Sequence, residues 1–309
     1  MNPGLHSGVP MVQYLALAAF SSSLCRALLA QSALHAKAEQ DGVSEPTEVS
    51  EMGEAIHDAL LEGVDRIASI NPEDYRSKPT KANPEGAVPK GWTNGAIKAA
   101  RDAARAEGKL PMLSDKVGRV TAAVSSAKAY IATTTLKGIF DGGESEVTLV
   151  WQEGAILCKA RPDKWDAKTG ILLHVKTSAG SVAPHAFQRV ADSLGYDVAV
   201  MFYERGMEAV APGKLVKSYI LAIEQEAPHG CKLYDLHELK KEIAAANVER
   251  AIQTWGKCLA SGSYPAYGAD AYTLEPKPWQ LAEAEATGTI GGLAYHEPDP
   301  LQAKHGIQP

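Results

Sequence analysis

Three short segments in the middle of the chain alternate apolar and polar residues with a period of two. They are "EVTLVW" (146–151), "AILCKAR" (155–161) and "GILLHVKT" (170–177), and only short connections separate them. A period of two with turn-sized connections is typical of neighbouring antiparallel strands. The chain is therefore constrained to bury a sheet built from consecutive strands, with helices from the flanking sequence covering it.

The sequence on both sides of these strands has the 3.6-residue period of amphipathic helices, interrupted by two further strands. We predict helices over 50–62 (with Ser50 as N-cap), 95–107, 114–130, 184–206 and 237–260, and strands over 216–226 and 232–236. The element order is helix, three-strand meander, helix, strand, with a helical insertion after the first helix. This order predicts an α/β fold with a mixed sheet.

The pattern divides the chain into three parts. Residues 1–48 form an N-terminal helical segment with a helix near 22–38, and residues 49–260 form one domain that carries the insertion at 64–130. Residues 261–309 form a tail rich in proline and glycine. No internal repeat is present, so a repeat architecture is excluded.

Cysteine spacing and hydropathy restrict the class of protein. The four cysteines form no CxxC pair, which argues against a zinc ribbon, an iron–sulfur cluster or a disulfide framework. The N-terminal run "YLALAAFSSSLCRALLA" has no basic residues before it, and Arg26 interrupts it. No apolar run reaches the roughly 18 residues of a membrane span. We expect a soluble cytoplasmic protein without a membrane partner.

Charge is distributed unevenly, although the formal net charge is only −6. Residues 39–74 hold eleven acidic side chains and one basic one, whereas residues 76–128 hold eleven basic and four acidic ones. The basic segment is suited to contact a phosphate backbone within an otherwise acidic protein. Equally, its side chains are suited to pair with the acidic segment as a solvated helical face.

Several chemically active side chains are predicted to meet at one edge of the sheet. Alternation along "ILLHVKT" places His174 and Lys176 on the same face of a strand. Asp163 follows the neighbouring strand, Glu146 begins the strand before it, and His57 lies on the preceding helix. Carboxylates are the ligands that magnesium prefers, and an ammonium group can neutralise charge on a phosphate. Each residue alone is more often an ordinary surface or core residue, so their order and spacing carry the prediction.

The same segments carry a resemblance to a known family. In chain order they are "SSSLCRALLAQSALHAKA", "MGEAIHDALLEG", "SEVTLVW", "CKARPDKW", "LLHVKTS", "LGYDVAVMFY", "ILAIEQEAPHGCKLYDL" and "ASGSYPAYG". Over roughly residues 15–280 the chain resembles the PD-(D/E)xK nuclease superfamily. Within it, the chain is similar to the exodeoxyribonuclease VIII (RecE-type) exonucleases of phages and prophages.

The resemblance implies a fold, an activity and a site. The fold is a restriction-endonuclease-like core, and the activity is magnesium-dependent degradation of linear double-stranded DNA from its ends. The single strand that remains would serve an annealing protein in phage-type recombination within the bacterial host cytoplasm. A ring-shaped homo-oligomer around the DNA is also implied. The implied catalytic residues are His57, Glu146, Asp163, Lys176 and Tyr203.

The implied metal ligands are Asp163, Glu146, His57 and His174, and the last of these departs from the family pattern. The usual acid two residues before the lysine is His174 here, and the usual glutamine four residues before Tyr203 is Ala199. A neutral imidazole can bind a divalent metal, and it favours manganese over magnesium.

Two other interpretations of the missing acid are open. One is a migrated carboxylate, from Asp192 or Asp197 on the helical region behind the sheet, whereas Asp166 is expected to serve its own turn. The other is a catalytically weakened protein that keeps the fold to bind DNA ends or to act as a scaffold.

Overall fold

The computed structural model describes residues 1–42, 48–63, 66–81 and 83–288. Its elements are β1 (Gly4–His6), α1 (Met11–Ala16), α2 (Ser22–Ala30), α3 (Ala33–Gln40), α4 (Glu48–Leu61), β2 (Ile67–Ile70), α5 (Gly95–Ala106), β3 (Leu110–Leu113), α6 (Ser114–Ile131), β4 (Glu144–Ser145), β5 (Thr148–Glu153), β6 (Ile156–Ala160), β7 (Lys164–Asp166), β8 (Ile171–Ser178), α7 (Pro184–Ser193), α8 (Tyr196–Val210), β9 (Lys217–Glu224), β10 (Cys231–Tyr234), α9 (Glu238–Ser261) and α10 (Pro278–Ala286).

The chain divides into two compact units, Met1–Tyr264 and Pro265–Pro309. The first unit contains all of the sheets and the helices up to α9. Of the predicted C-terminal tail, residues 289–309 lie outside the described residues. Within the described ranges, no helix is both long enough and apolar enough to cross a membrane.

The three predicted central strands are present as β5, β6 and β8, but β8 lies in a different sheet from the other two. One sheet has the order β1-β5-β6, and the other has the order β10-β9-β8-β7-β4. β4 and β5 are consecutive along the chain, as are β6 and β7, and each pair is separated by two or three residues. The prediction of one continuous strand from Glu146 is wrong, because Glu146 has a φ of 51°. A left-handed residue cannot continue the pleat of a strand.

The five-stranded sheet is mixed, as predicted for this α/β fold. β8 pairs in parallel with β9 over eight residues, from Ile171 with Lys217 to Ser178 with Glu224. Its other neighbour, β7, is antiparallel, and so is the β9–β10 pair. A parallel pair needs a crossover connection, and the helices α7 and α8 supply it.

Several helix boundaries differ from the predicted ones. The helix predicted near 22–38 is two helices, because Ser32 starts a new one by accepting a hydrogen bond from the backbone N–H of His35. Ser50 is not an N-cap, since α4 already begins at Glu48. The insertion also contains an unpredicted parallel pair, β2 and β3.

The five-stranded sheet separates two hydrophobic cores. One core contains Leu172 of β8 together with side chains of α2, α8 and α9, including Phe202 and Trp255. The other contains Leu173 and Val175 of β8 together with side chains of α4 and α6. Because alternate residues of β8 enter opposite cores, α4 approaches the strand from one side and α8 from the other.

The close approach of α4 to β8 depends on Gly53. A Cβ atom at this position would lie 2.6 Å from Thr177 Oγ1, which also accepts a hydrogen bond from Gln225 Nε2 at 3.1 Å. We expect Gly53→Ala to destabilise the protein by about 1–3 kcal/mol, because helix and strand must separate. Urea denaturation measures this change.

Gly118 on α6 provides a matched control for that substitution. A Cβ atom there would have no neighbour within 4 Å, so Gly118→Ala should leave stability unchanged or raise it by up to about 1 kcal/mol. Equal stability of the two variants would contradict the packing argument.

Candidate active site

The site lies where the paired strands pass from one sheet to the other. Glu146 occupies the break between β4 and β5, and Asp163 occupies the break between β6 and β7. The two breaks are joined, because the backbone N–H of Glu146 donates to the carbonyl of Asp163 at 3.1 Å. This geometry places both predicted carboxylates at the same point of the fold.

Asp163 is the best-connected residue of the site, and only 8% of its surface is exposed. Its Oδ2 accepts from the backbone N–H of Val175 at 2.6 Å and lies 3.6 Å from Lys176 Nζ, while Oδ1 lies 3.1 Å from His57 Nε2. Burial opposes ionisation of this carboxyl group, but Lys176 and then His57 hold its pKa well below the usual range. Asp163 is therefore ionised at neutral pH.

His57 of α4 links Asp163 to two further carboxylates. Its Nδ1 lies 3.6 Å from Asp58 Oδ1 and 3.9 Å from Glu146 Oε1. Burial lowers the pKa of His57, but the charge of Asp163 and its hydrogen bond outweigh burial and raise the pKa to about 10. In the absence of metal the imidazole is therefore cationic at neutral pH, which shows how negative the field at this point is.

Glu146 is fixed by one oxygen and leaves the other near His57. Its Oε2 accepts from Arg161 Nη2 at 2.8 Å, and the same guanidinium donates from Nη1 to the carbonyl of Val9 at 2.8 Å. Arg161 therefore orients the carboxylate and compensates its charge. Oε1 is the oxygen that faces His57.

The donor set at this point fits a divalent cation. In the described part of the chain, ligand atoms of His57, Asp58 and Glu146 all lie within 4.8 Å of one another. In octahedral geometry with bonds of about 2.1 Å, neighbouring ligand atoms are about 3.0 Å apart and opposite ones about 4.2 Å apart. His57 Nδ1 lies 3.6 Å from Asp58 Oδ1 and 3.9 Å from Glu146 Oε1, between these two values, so binding one ion requires these side chains to shift by less than about 1 Å.

Lys176 faces an open pocket beside these carboxylates. The pocket has a volume of about 270 Å³, and its lining residues are Gly53, Glu54, His57, Val175, Lys176, Thr177 and Tyr196. Lys176 Nζ donates to the carbonyl of Val175 at 3.1 Å and lies 5.8 Å from the centre of the Tyr196 ring. Burial lowers the pKa of Lys176, but Asp163 reverses the effect and raises it. The lysine is therefore charged within this pocket.

His174 and Tyr203 lie together on the opposite side of β8 from α4. His174 is 2% exposed, and its ring centre lies 5.1 Å from that of Tyr203. Its Nε2 is buried and has no hydrogen-bond partner among the described residues. Burial lowers the pKa of His174 to about 4, so the ring is neutral at physiological pH. The Tyr203 hydroxyl accepts from Ser22 Oγ at 3.2 Å. His174 lies outside the cluster of His57, Asp58 and Glu146, and its predicted role as a metal ligand stays a prediction.

The other aspartates considered from the sequence do not reach the site. Asp192 and Asp197 both pair with Lys240, at 2.5 and 3.3 Å, so the interpretation of a carboxylate migrating from this helical region is wrong. Asp166 serves its turn as expected, since it accepts from the backbone N–H of Lys168 and the hydroxyl of Thr169.

The basic segment pairs mostly with acids close to it in sequence. Arg101 pairs with Asp102, and Arg76 with Glu73 and Glu85, whereas Arg105 reaches the acidic segment at Glu51, 3.4 Å away. In this segment, the lysines without an ion-pair partner among the described residues are Lys78, Lys81, Lys90, Lys98 and Lys128. The Arg105–Glu51 pair fits the interpretation of pairing with the acidic segment, and contact of the basic segment with a phosphate backbone stays a prediction.

The two strand breaks are joined by a hydrogen bond and present acidic side chains beside a lysine. They lie on a mixed sheet between helices. This arrangement defines a restriction-endonuclease-like core. The family model of the "PDDEXK-like domain of unknown function (DUF3799)" matches residues 21–275. The chain belongs to this family, and hence to the PD-(D/E)xK superfamily. The match does not distinguish a RecE-type member from others.

One solved structure has a similar fold. The protein described as "Putative exonuclease" from Eubacterium rectale is 11% identical, covers 91% of this chain and 99% of its own, and has a TM-score of 0.55. A "phage related exonuclease" from Haemophilus somnus is 9% identical, covers 79% of this chain and 96% of its own, and has a TM-score of 0.34. No curated protein matches this sequence.

Proposed function

We propose that the protein is a metal-dependent exonuclease that degrades linear double-stranded DNA from its ends. The observation that carries the proposal is the contact of Asp163 with both His57 and Lys176, beside Glu146 and an open pocket. Membership of the PDDEXK-like family supports a nuclease. The description of the Eubacterium rectale protein, whose fold is similar, supports the exonuclease class.

Each side chain has a role that follows from its surroundings. Asp163, Glu146 and His57 would hold the cation, which is Mg²⁺ or Mn²⁺. When bound, the cation lowers the pKa of a water molecule and polarises a phosphate. Lys176 neutralises negative charge on the phosphate from within the pocket. Tyr203 supports the strand that carries Lys176 through its contact with His174.

The proposal includes partners that the family resemblance implies. The substrate is a double-stranded DNA end, and the single strand that remains is passed to an annealing protein in phage-type recombination in the bacterial cytoplasm. A ring-shaped homo-oligomer would thread the duplex and bring Lys78, Lys81, Lys90 and Lys98 towards the phosphates.

One observation favours a second candidate function. The position that usually carries an acid holds His174, which is buried and neutral. A chain with too little negative charge to bind metal would be a DNA-end-binding or scaffold protein with a nuclease fold. This candidate predicts binding of linear duplexes without cleavage, and cleavage only after His174→Asp.

Whether cleavage requires a free DNA end distinguishes the proposed exonuclease from the alternatives. We expect the native chain to degrade an end-labelled linear duplex in Mg²⁺ or Mn²⁺, to leave single-stranded product, and to spare a covalently closed circle of the same sequence. Gel electrophoresis of both substrates measures this. Cleavage of the closed circle would show an endonuclease instead, and cutting by the His174→Asp variant alone would favour the binding protein.

A further inference from the structure

We propose that Asp58 is a ligand of the cation at His57 and Glu146, and that its carboxylate replaces the acid that position 174 lacks. This inference rests on the proposed function in one respect, that the site binds a divalent cation. It assigns the ligand to α4, on the opposite side of β8 from His174.

The carboxylate oxygens already assigned to the site are largely occupied by other contacts. Asp163 uses Oδ2 for the backbone of Val175 and for Lys176, and Oδ1 for His57. Glu146 uses Oε2 for Arg161, which leaves Oε1. Mg²⁺ is typically held by one or two carboxylates together with water and phosphate oxygens, so a carboxylate less occupied by such contacts is suited to be the second ligand beside Glu146.

Asp58 has such a carboxylate. Its side chain is 19% exposed, and within the described part of the chain its one ion-pair partner is His57, 3.6 Å away. Within the described residues no lysine or arginine pairs with it, in contrast to Arg161 at Glu146 and Lys176 at Asp163. Its ligand atom belongs to the cluster whose members lie within 4.8 Å of one another.

His174 lacks these properties. It lies on the face of β8 that carries Leu172, in the core with α8, and its ring packs against Tyr203. Lys176 shares this face of the strand and still reaches the pocket, so what keeps His174 out of the ligand cluster is its burial against Tyr203. The buried, unpartnered Nε2 of His174 fits a side chain that fills the place of an acid without replacing its charge.

Binding of Mn²⁺ by isothermal titration calorimetry tests this assignment without DNA or turnover. We expect Asp58→Asn to weaken binding at least about 10-fold, in the range found when groups around a metal are removed. Asp58→Glu should restore part of the affinity, and His174→Asn should bind close to the native value. Thermal unfolding in EDTA establishes that each variant is folded.

Glu51 provides the matched control, since it lies on the same helix and pairs with Arg105. Glu51→Gln removes the same charge and should leave Mn²⁺ affinity unchanged. If Asp58→Asn binds like the native chain while Asp163→Asn loses the metal, the Asp58 assignment is overturned and the proposed function stands. A folded native chain that binds no Mn²⁺ would overturn both.

Discussion

Asp163→Asn is expected to reduce cleavage of linear duplex DNA by at least about 10³-fold, the upper range for removing one electrostatic group from an active site. The carboxylate is buried, its pKa is held low, and it contacts both His57 and Lys176. Asparagine keeps the shape and can still accept from the backbone N–H of Val175. It removes the negative charge that orients the lysine and that would attract the cation. Initial rates on end-labelled duplex measure the loss.

Asp166→Asn is the matched control for that substitution. Asp166 lies three residues further along the chain, at the end of β7, and its carboxylate bonds only within its own turn. This change should cost at most about 1 kcal/mol of stability and leave the rate near the native value. Equal loss of activity in both variants would show that the effect comes from the strand and not from the site.

Lys176→Met is expected to lower kcat by about 10²- to 10³-fold while the variant still binds duplex DNA. Methionine retains the apolar stem of lysine but not the ammonium group at the pocket. The loss should appear mainly in kcat, because the charge is needed most when negative charge builds up on the phosphate in the transition state. Single-turnover kinetics and a DNA-binding titration separate the two effects.

Lys164→Met is the matched control for Lys176→Met, because it removes the charge of a buried lysine that lies outside the pocket. Lys164 lies on the adjacent strand β7, is 5% exposed, and donates to Ser145 Oγ at 3.3 Å, outside the pocket. Its replacement should preserve kcat. An unchanged kcat in Lys176→Met would remove the lysine from the mechanism.

The sequence predicted the elements of the fold better than their division into sheets. Alternation located β5, β6 and β8 to within about two residues, because these strands bury alternate side chains in the cores. The break at Glu146 was not predictable, since its left-handed backbone is held by tertiary contacts and glutamate has no special preference for it. The β2–β3 pair was missed because "LPML" contains a proline, which argues against a strand.

The candidate site was also predicted only in part. The order of His57, Glu146, Asp163 and Lys176 along the chain suggested that they converge, and the structure brings these four side chains together. Asp58 was missed because consecutive residues diverge by about 100° around a helix, so nothing in the pattern placed it beside Glu146. Its direct adjacency to His57 was the one available signal.

We propose that His57, Glu146, Asp163 and Lys176 form a metal-dependent nuclease site. The most direct test follows an end-labelled linear duplex incubated with the native chain in Mg²⁺ or Mn²⁺, in EDTA, and after the metal is added back. We expect cleavage in at least one metal, no cleavage in EDTA, and recovery of cleavage when the metal is added back. Cutting that persists in EDTA, or a folded chain that binds the duplex and cuts it in neither metal, would contradict it.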